Sequence, residues 1–389
     1  MKKILQIPNY MYPHIGGIEQ VGRDIADSLL EMSDIEQKII CFNGDAEDNG
    51  YVCHQRETVH DWVDGVEVIR CGCIAKISSQ SISLTYAKEL QRVMDEFQPD
   101  IVIFHYPNPF VSTILEKYLK RNFKLLMFWH LDITKQRILG KLFHRQTLRL
   151  LERAEVVVPA SPNYIQGSPY LKKYEKKCRV ISDCVRVERL RPTPKIQNKA
   201  EEIRKEYSGK IICFGIGRHV PYKGYTYLVQ ASKLLDDRFA VCIGGTGPLT
   251  EQLKAEAKGD DKIHFLGRIS DEDLVAWYLA CDIFCFPSIT KNEAFGIALA
   301  EGMLFGKPAV TFTIPGSGVN YVSMANETGI ECPNGDINAY AAALSKLADD
   351  PELRSRYGEN AKLRVETKFS FLRFKEEIQQ LIKSIIAFE

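Results

Sequence analysis

Two carboxylates stand eight residues apart in the stretch Glu293-Ala-Phe-Gly-Ile-Ala-Leu-Ala-Glu301. An apolar run, Cys281-Asp-Ile-Phe-Cys-Phe-Pro-Ser288, precedes them. Met303, Leu304 and Phe305 follow on an apolar face, and Gly306-Lys-Pro308 stops it. The order reads as buried strand, turn and helix. If the segment is helical, the two carboxylates are separated by about 12 Å of rise, roughly the span from a sugar ring across a diphosphate to a ribose. Glu301 interrupts an otherwise apolar run from Ile297 to Phe305. Buried glutamates are rare without a partner, so the position favours binding over a solvated helix face.

Cations of matching chemistry lie upstream, in Gly215-Ile-Gly-Arg218-His-Val-Pro-Tyr-Lys223-Gly224. A guanidinium fork and an ammonium point charge, five residues apart on a glycine-rich strand end, suit a diphosphate. The segment is not a dinucleotide fingerprint, because Val220 stands where the third glycine belongs. Gly244-Gly245-Thr-Gly247-Pro248 closes the next strand and opens a helix, where backbone N–H groups meet phosphate or sugar. Arg268, in Phe265-Leu-Gly267-Arg268, ends a third strand. Gly16 and Gly17 follow the first strand of the chain and let backbone approach a phosphate. His130, in Phe128-Trp-His130-Leu-Asp132, and His105 each end a strand. Ile314-Pro-Gly-Ser-Gly-Val-Asn320 reads as a turn beside the Glu293 loop.

These loops need a frame that brings strand ends together. Short apolar runs alternate with amphipathic helices through the chain, the pattern of parallel sheets covered on both faces. Strands are expected at residues 4–7, 38–42, 66–70, 101–104, 125–129 and 156–160 in the first half. In the second they are expected at 210–215, 239–244, 263–266, 283–287 and 309–312. The run from Val180 to Val185 reads as the end of one more strand before a hinge at 183–194. Ligands in open α/β sheets bind at the carboxyl ends of strands.

Composition is ordinary for a globular protein: 389 residues, 45% hydrophobic, net charge +1. No run reaches 18 apolar residues, so no transmembrane helix is expected. Met1-Lys-Lys-Ile-Leu-Gln-Ile-Pro8 reads as a first strand rather than a signal peptide. The eleven cysteines lack zinc spacings and read as small core residues of a reduced, cytoplasmic protein.

Taken together, the Glu-x7-Glu stretch, the Gly-Arg…Lys-Gly element and the Gly16-Gly17 loop resemble glycosyltransferase family 4. The resemblance covers nearly the whole chain. Ala294 and Gly302 depart from the family's usual residues, which bears on sugar identity. It implies a GT-B fold: two Rossmann-like, doubly wound parallel-sheet domains facing a cleft. The expected boundaries are 1–185 for an acceptor-binding domain, 186–368 for a nucleotide-sugar-binding domain, and 369–389 for a helix crossing back to the first. It also implies roles. Glu293 and His130 hold the donor sugar, Arg218 and Lys223 neutralise the leaving diphosphate, and Glu301 holds the ribose. Gly16, Gly17, Gly245, Arg268, Phe295 and Gly296 line the donor. The expected reaction is retaining transfer of mannose or a related hexose from a GDP- or UDP-sugar to a glycan or lipid-linked hydroxyl, without metal or cofactor. A GT-B epimerase and a non-catalytic nucleotide-sugar or glycan-binding protein are the alternatives.

One feature concerns the acceptor side. Residues 117–180 hold fifteen Lys and Arg against four Asp and Glu. Arg137, Lys141, Arg145, Arg149 and Arg153 recur every four residues, a basic stripe that fits an anionic membrane surface at the inner face. Aromatic residues are not interleaved with it, which argues against nucleic acid.

Overall fold

The computed structural model describes residues 1–14, 16–44, 52–77, 80–133 and 137–387, with side chains of 137–142 excepted. Its contacts divide the chain into two compact units. The first contains 1–160, 168–181 and 374–389; the second contains 161–167 and 182–373.

Among its described residues the first unit has nine strands: β1 (Lys2–Ile7), β2 (Ile35–Phe42), β3 (Val59–Val63), β4 (Val66–Cys71), β5 (Ala75–Ile77), β6 (Gln80–Ile82), β7 (Ile101–Tyr106), β8 (Lys124–Trp129) and β9 (Val156–Pro159). Seven form one sheet in the order β3-β4-β2-β1-β7-β8-β9, and β5 pairs with β6. Every residue of β7 is buried, as expected of a central strand covered on both faces. The helix Phe371–Ala387 contributes to this unit, where Lys375 pairs with Glu31 at 2.8 Å and Gln379 donates to the Ser28 carbonyl at 2.9 Å.

The second unit holds β10 (Ile211–Ile216), β11 (Phe239–Gly244), β12 (Ile263–Gly267), β13 (Ile283–Phe286), β14 (Ala309–Phe312) and β15 (Gly329–Cys332), in the order β12-β11-β10-β13-β14-β15. In each sheet the order reverses beside the first strand of the unit: between β1 and β7, and between β10 and β13. Connections diverge at such a point and leave a crevice above the strand ends.

The expected parallel sheets are present, with one exception at the edge. β3 runs antiparallel to β4 across a two-residue turn, Asp64-Gly65, both at positive φ. That dipeptide is a strong hairpin signal, and β3 alternates in exposure as an edge strand does. No strand forms at 180–185; Val185 makes an isolated bridge to Ser370. All eleven cysteines are free thiols, nine of them buried. Among the described residues, no helix is long and apolar enough to cross a membrane.

Candidate active site

The site residues fall into two sets, one in each unit. In the second, β10, β11 and β12 end in glycine turns that lock together. The Gly217 N–H donates to the Gly244 carbonyl at 3.2 Å, His219 to Thr246 at 3.0 Å, and Gly245 to Gly267 at 2.7 Å. Gly245 has φ +101, and a Cβ there would lie 2.1 Å from the Gly217 oxygen. Only glycine allows this backbone-to-backbone approach. Arg218 and Arg268 are exposed at the ends of β10 and β12.

Across the reversal, the loops after β10 and β13 meet. Gly224, with φ +67, is pressed against the Pro287 carbonyl at the end of β13, and the Ile289 N–H donates to Tyr222 at 3.0 Å. This brings Lys223 to Glu293. The ammonium lies 2.5 Å from Glu293 Oε2, and both side chains are largely buried. The Ser288 hydroxyl donates to the same oxygen at 3.1 Å, and Ser317 donates to the Glu293 carbonyl. Ser317 is itself fully buried in the 314–320 turn, which Asn320 ties to Ile314 N and the Phe312 carbonyl.

The carboxylate spacing is not a helical rise throughout. The helix begins only at Ile297, with Gly296 as its left-handed N-cap at φ +96. A Cβ on Gly296 would crowd the Phe286 ring. Glu293, Ala294 and Phe295 therefore lie in the turn. Phe295 is buried, its ring edge-on to Phe369 in the core. Glu301, one turn into the helix, accepts from the buried Tyr278 hydroxyl at 2.9 Å. Burial pushes its pKa up to about 7; the Tyr278 bond and the Arg189 charge oppose that rise. Tyr278 stacks on Phe305, which fixes the phenol.

In the first unit, Gly16 is the N-cap of the helix Gly17–Leu30, its carbonyl accepting from Gln20 N at 2.9 Å. The approach to this loop is clamped by Arg70, a fully buried guanidinium that donates to the Met11 and Tyr12 carbonyls and pairs with Asp61 at 2.9 Å. His130 closes β8, with Asp132 nearby taking hydrogen bonds from Trp129 Nε1 at 3.1 Å and Ser168 at 2.8 Å. His130 Nε2 lies 2.9 Å from His105 Nδ1. Burial lowers both rings, His130 to about 4, so both are neutral near pH 7.

The basic stripe on the helix Arg137–Arg153 is only partly a free face. Arg153 donates to the carbonyls of Leu119 and Phe123, and Arg149 pairs with Glu116 at 2.7 Å. The side chains of Arg137 and Lys141 lie outside the described residues; Arg145 is exposed.

Residues 196–364 match the family model for glycosyl transferases group 1, and residues 15–189 match that for glycosyltransferase family 4. The chain is 31% identical to D-rhamnosyltransferase WbpZ of Pseudomonas aeruginosa over 369 residues, 93% of this chain and 90% of that protein. The chain belongs to glycosyltransferase family 4. It is also 29% identical to O-antigen chain mannosyltransferase C of Escherichia coli, over 95% of this chain and 94% of that one. Sucrose-phosphate synthase from Thermosynechococcus elongatus superposes with a TM-score of 0.79 at 18% identity, each chain covered completely. The fold of this glycosyltransferase is GT-B.

Sequence reasoning named the charged members of the second set. It passed over Ser288, five residues from its partner Glu293, and Tyr278, Arg70 and Gln6, whose partners Glu301, Met11 and His105 lie farther off in the chain. Serines and tyrosines in apolar runs carry no distinguishing local signal.

Proposed function

We propose that this glycosyltransferase moves mannose or a closely related hexose from a GDP-sugar to a hydroxyl of a lipid-linked or polysaccharide acceptor, with retention and without metal. The observation that carries the reading is the Lys223–Glu293 pair at the reversal between β10 and β13. The similarity to a D-rhamnosyltransferase and an O-antigen mannosyltransferase, over nine-tenths of the chain, supports the sugar class.

Glu293 orients the donor sugar through its hydroxyls while Lys223 and Arg218 face the diphosphate. As the anomeric carbon–oxygen bond breaks, both electrons leave with the nucleoside diphosphate, and the two cations stabilise that charge. The acceptor hydroxyl attacks from the same face and gives its proton to the departing phosphate oxygen. Glu301 accepts hydrogen bonds from the ribose hydroxyls. The turn at Gly245 offers backbone N–H groups to the phosphates. His130 contributes a hydrogen bond to the transferring sugar.

Nucleotide release from GDP-mannose, UDP-glucose, UDP-galactose and UDP-N-acetylglucosamine tests this directly, with and without EDTA. Release of GDP, unaffected by EDTA and lost in Glu293→Ala and Arg218→Ala, is the expected outcome. Release of UDP alone would remove the donor assignment. Binding without release, even with lipid-linked acceptor present, would favour a binding protein.

A further inference from the structure

The first unit contains a buried chain of hydrogen bonds with a fixed direction. Gln6 lies on β1 and His105 on the adjacent parallel β7; each side chain is about 1% exposed. Gln6 Nε2 lies 2.8 Å from the Gly22 carbonyl and 3.1 Å from His105 Nε2. A backbone carbonyl only accepts, so the amide nitrogen, not the amide oxygen, must face Gly22. Its second hydrogen then points at His105 Nε2. That ring nitrogen must be a lone pair, because an N–H there would oppose the amide.

The direction propagates. Neutral His105 carries its proton on Nδ1, which lies 2.9 Å from His130 Nε2. His130 accepts at Nε2 and so keeps its own proton on Nδ1. A doubly protonated His105 would break the first link, and the burial of both rings disfavours it. Gly22 fits the same logic. It sits within a helix, where glycine costs about 1 kcal/mol against alanine, yet a Cβ there would stand 3.3 Å from Gln6 Nε2.

We propose that Gln6 and His105 are positioning residues that hold His130 as the Nδ1–H tautomer, so that this ring donates a hydrogen bond during transfer. The proposal rests on the reading of His130 as a contact to the sugar. The tautomer at a histidine is set by the bond its other nitrogen makes, and here that bond is traced back to an amide whose orientation a carbonyl dictates.

The test uses the full-length protein labelled with nitrogen-15, with long-range nitrogen–proton NMR correlations of the histidine rings near pH 7.5. Wild type is expected to show His105 and His130 both protonated at Nδ1. In Gln6→Glu, an oxygen facing His105 accepts from Nε2–H whether or not the acid is ionised. The chain reverses and His130 carries its proton on Nε2. In Gln6→Leu the direction is lost and the tautomers mix. Turnover of the nucleotide sugar in Gln6→Glu should fall on the order of tenfold or more, with the donor KM within about twofold.

A wild-type His130 protonated at Nε2, or an unchanged tautomer in Gln6→Glu, would overturn the proposal. So would a reversed tautomer with wild-type turnover. His130→Ala, assayed alongside, separates the two failures: lost turnover keeps the His130 reading, and full turnover removes it.

Discussion

Lys223 and Glu293 are seventy residues apart in sequence and 2.5 Å apart in space, at the reversal of the second sheet. Ser288 shares the same carboxylate oxygen, so the Glu293 carboxylate is held by two donors at once. Removing one partner of a largely buried pair leaves an uncompensated charge. Lys223→Ala should therefore lower kcat by about 10²–10³ and also lower Tm. Lys223→Met should recover part of the Tm, by filling the space, and none of the rate. Steady-state kinetics and thermal melts of the two variants separate charge from packing.

Glu301 predicts a pH dependence. With the group raised to about 7 by burial, its carboxylate form grows as pH rises through neutrality. Affinity for the donor should rise in the same window if this oxygen accepts from ribose. Tyr278→Phe removes the bond that favours the carboxylate, so the midpoint of donor KM against pH should move upward. A midpoint that stays put would detach Tyr278 from this role.

The same group carries a stability cost with a definite sign. Its pKa is higher in the folded protein than the ordinary 4.5, so the native state binds the proton more tightly. Stability is therefore highest below that ordinary value and falls as pH rises to about 7. Glu301→Gln should raise Tm at pH 8, by up to roughly 3 kcal/mol of stability, and change it little at pH 4. Denaturant melts at the two pH values read this directly.

Gly245 and Gly209 both hold positive φ, but only Gly245 is crowded: nothing lies within 4 Å of a Cβ at Gly209. Gly209→Ala should cost about 1 kcal/mol, the strain of the left-handed backbone alone. Gly245→Ala should cost several times that and weaken donor binding, because the turn must separate from Gly217. Equal costs in the two variants would mean that the interlock is loose.

Arg70 should matter to the glycine loop through the two carbonyls it holds. Arg70→Met leaves the Met11 and Tyr12 carbonyls without their donor. A loss of about 3 kcal/mol in urea melts is expected, with a raised donor KM. Unchanged KM in the folded variant would confine Arg70 to stability.

Eleven of the twelve expected strands are present because each is a short apolar run, the composition that a covered parallel sheet demands. The omissions have the opposite character. β3 is half-exposed and polar, and its signal was the Asp64-Gly65 turn rather than the strand itself. β15 is a four-residue edge strand whose pairing with β14 carries it. The run at 180–185 has strand-like residues but meets β9 only where the Ile181 N–H reaches the Pro159 carbonyl at 3.3 Å, and Ser370 only at the Val185 bridge, so it stays irregular.

By itself the sequence determined two α/β units, the family, and the glutamates, arginines, lysine and glycines at strand ends. Those features are local: a period, a turn residue, or a charge inside an apolar run. Only the tertiary structure decided which of them touch. Gly224 against Pro287 brings Lys223 to Glu293, Tyr278 reaches Glu301 across a helix pair, and Gln6 reaches His105 across two strands adjacent in the sheet but 99 residues apart. Hydrogen bonding acts over a few ångströms, and chain separation says nothing about it until strand order is known.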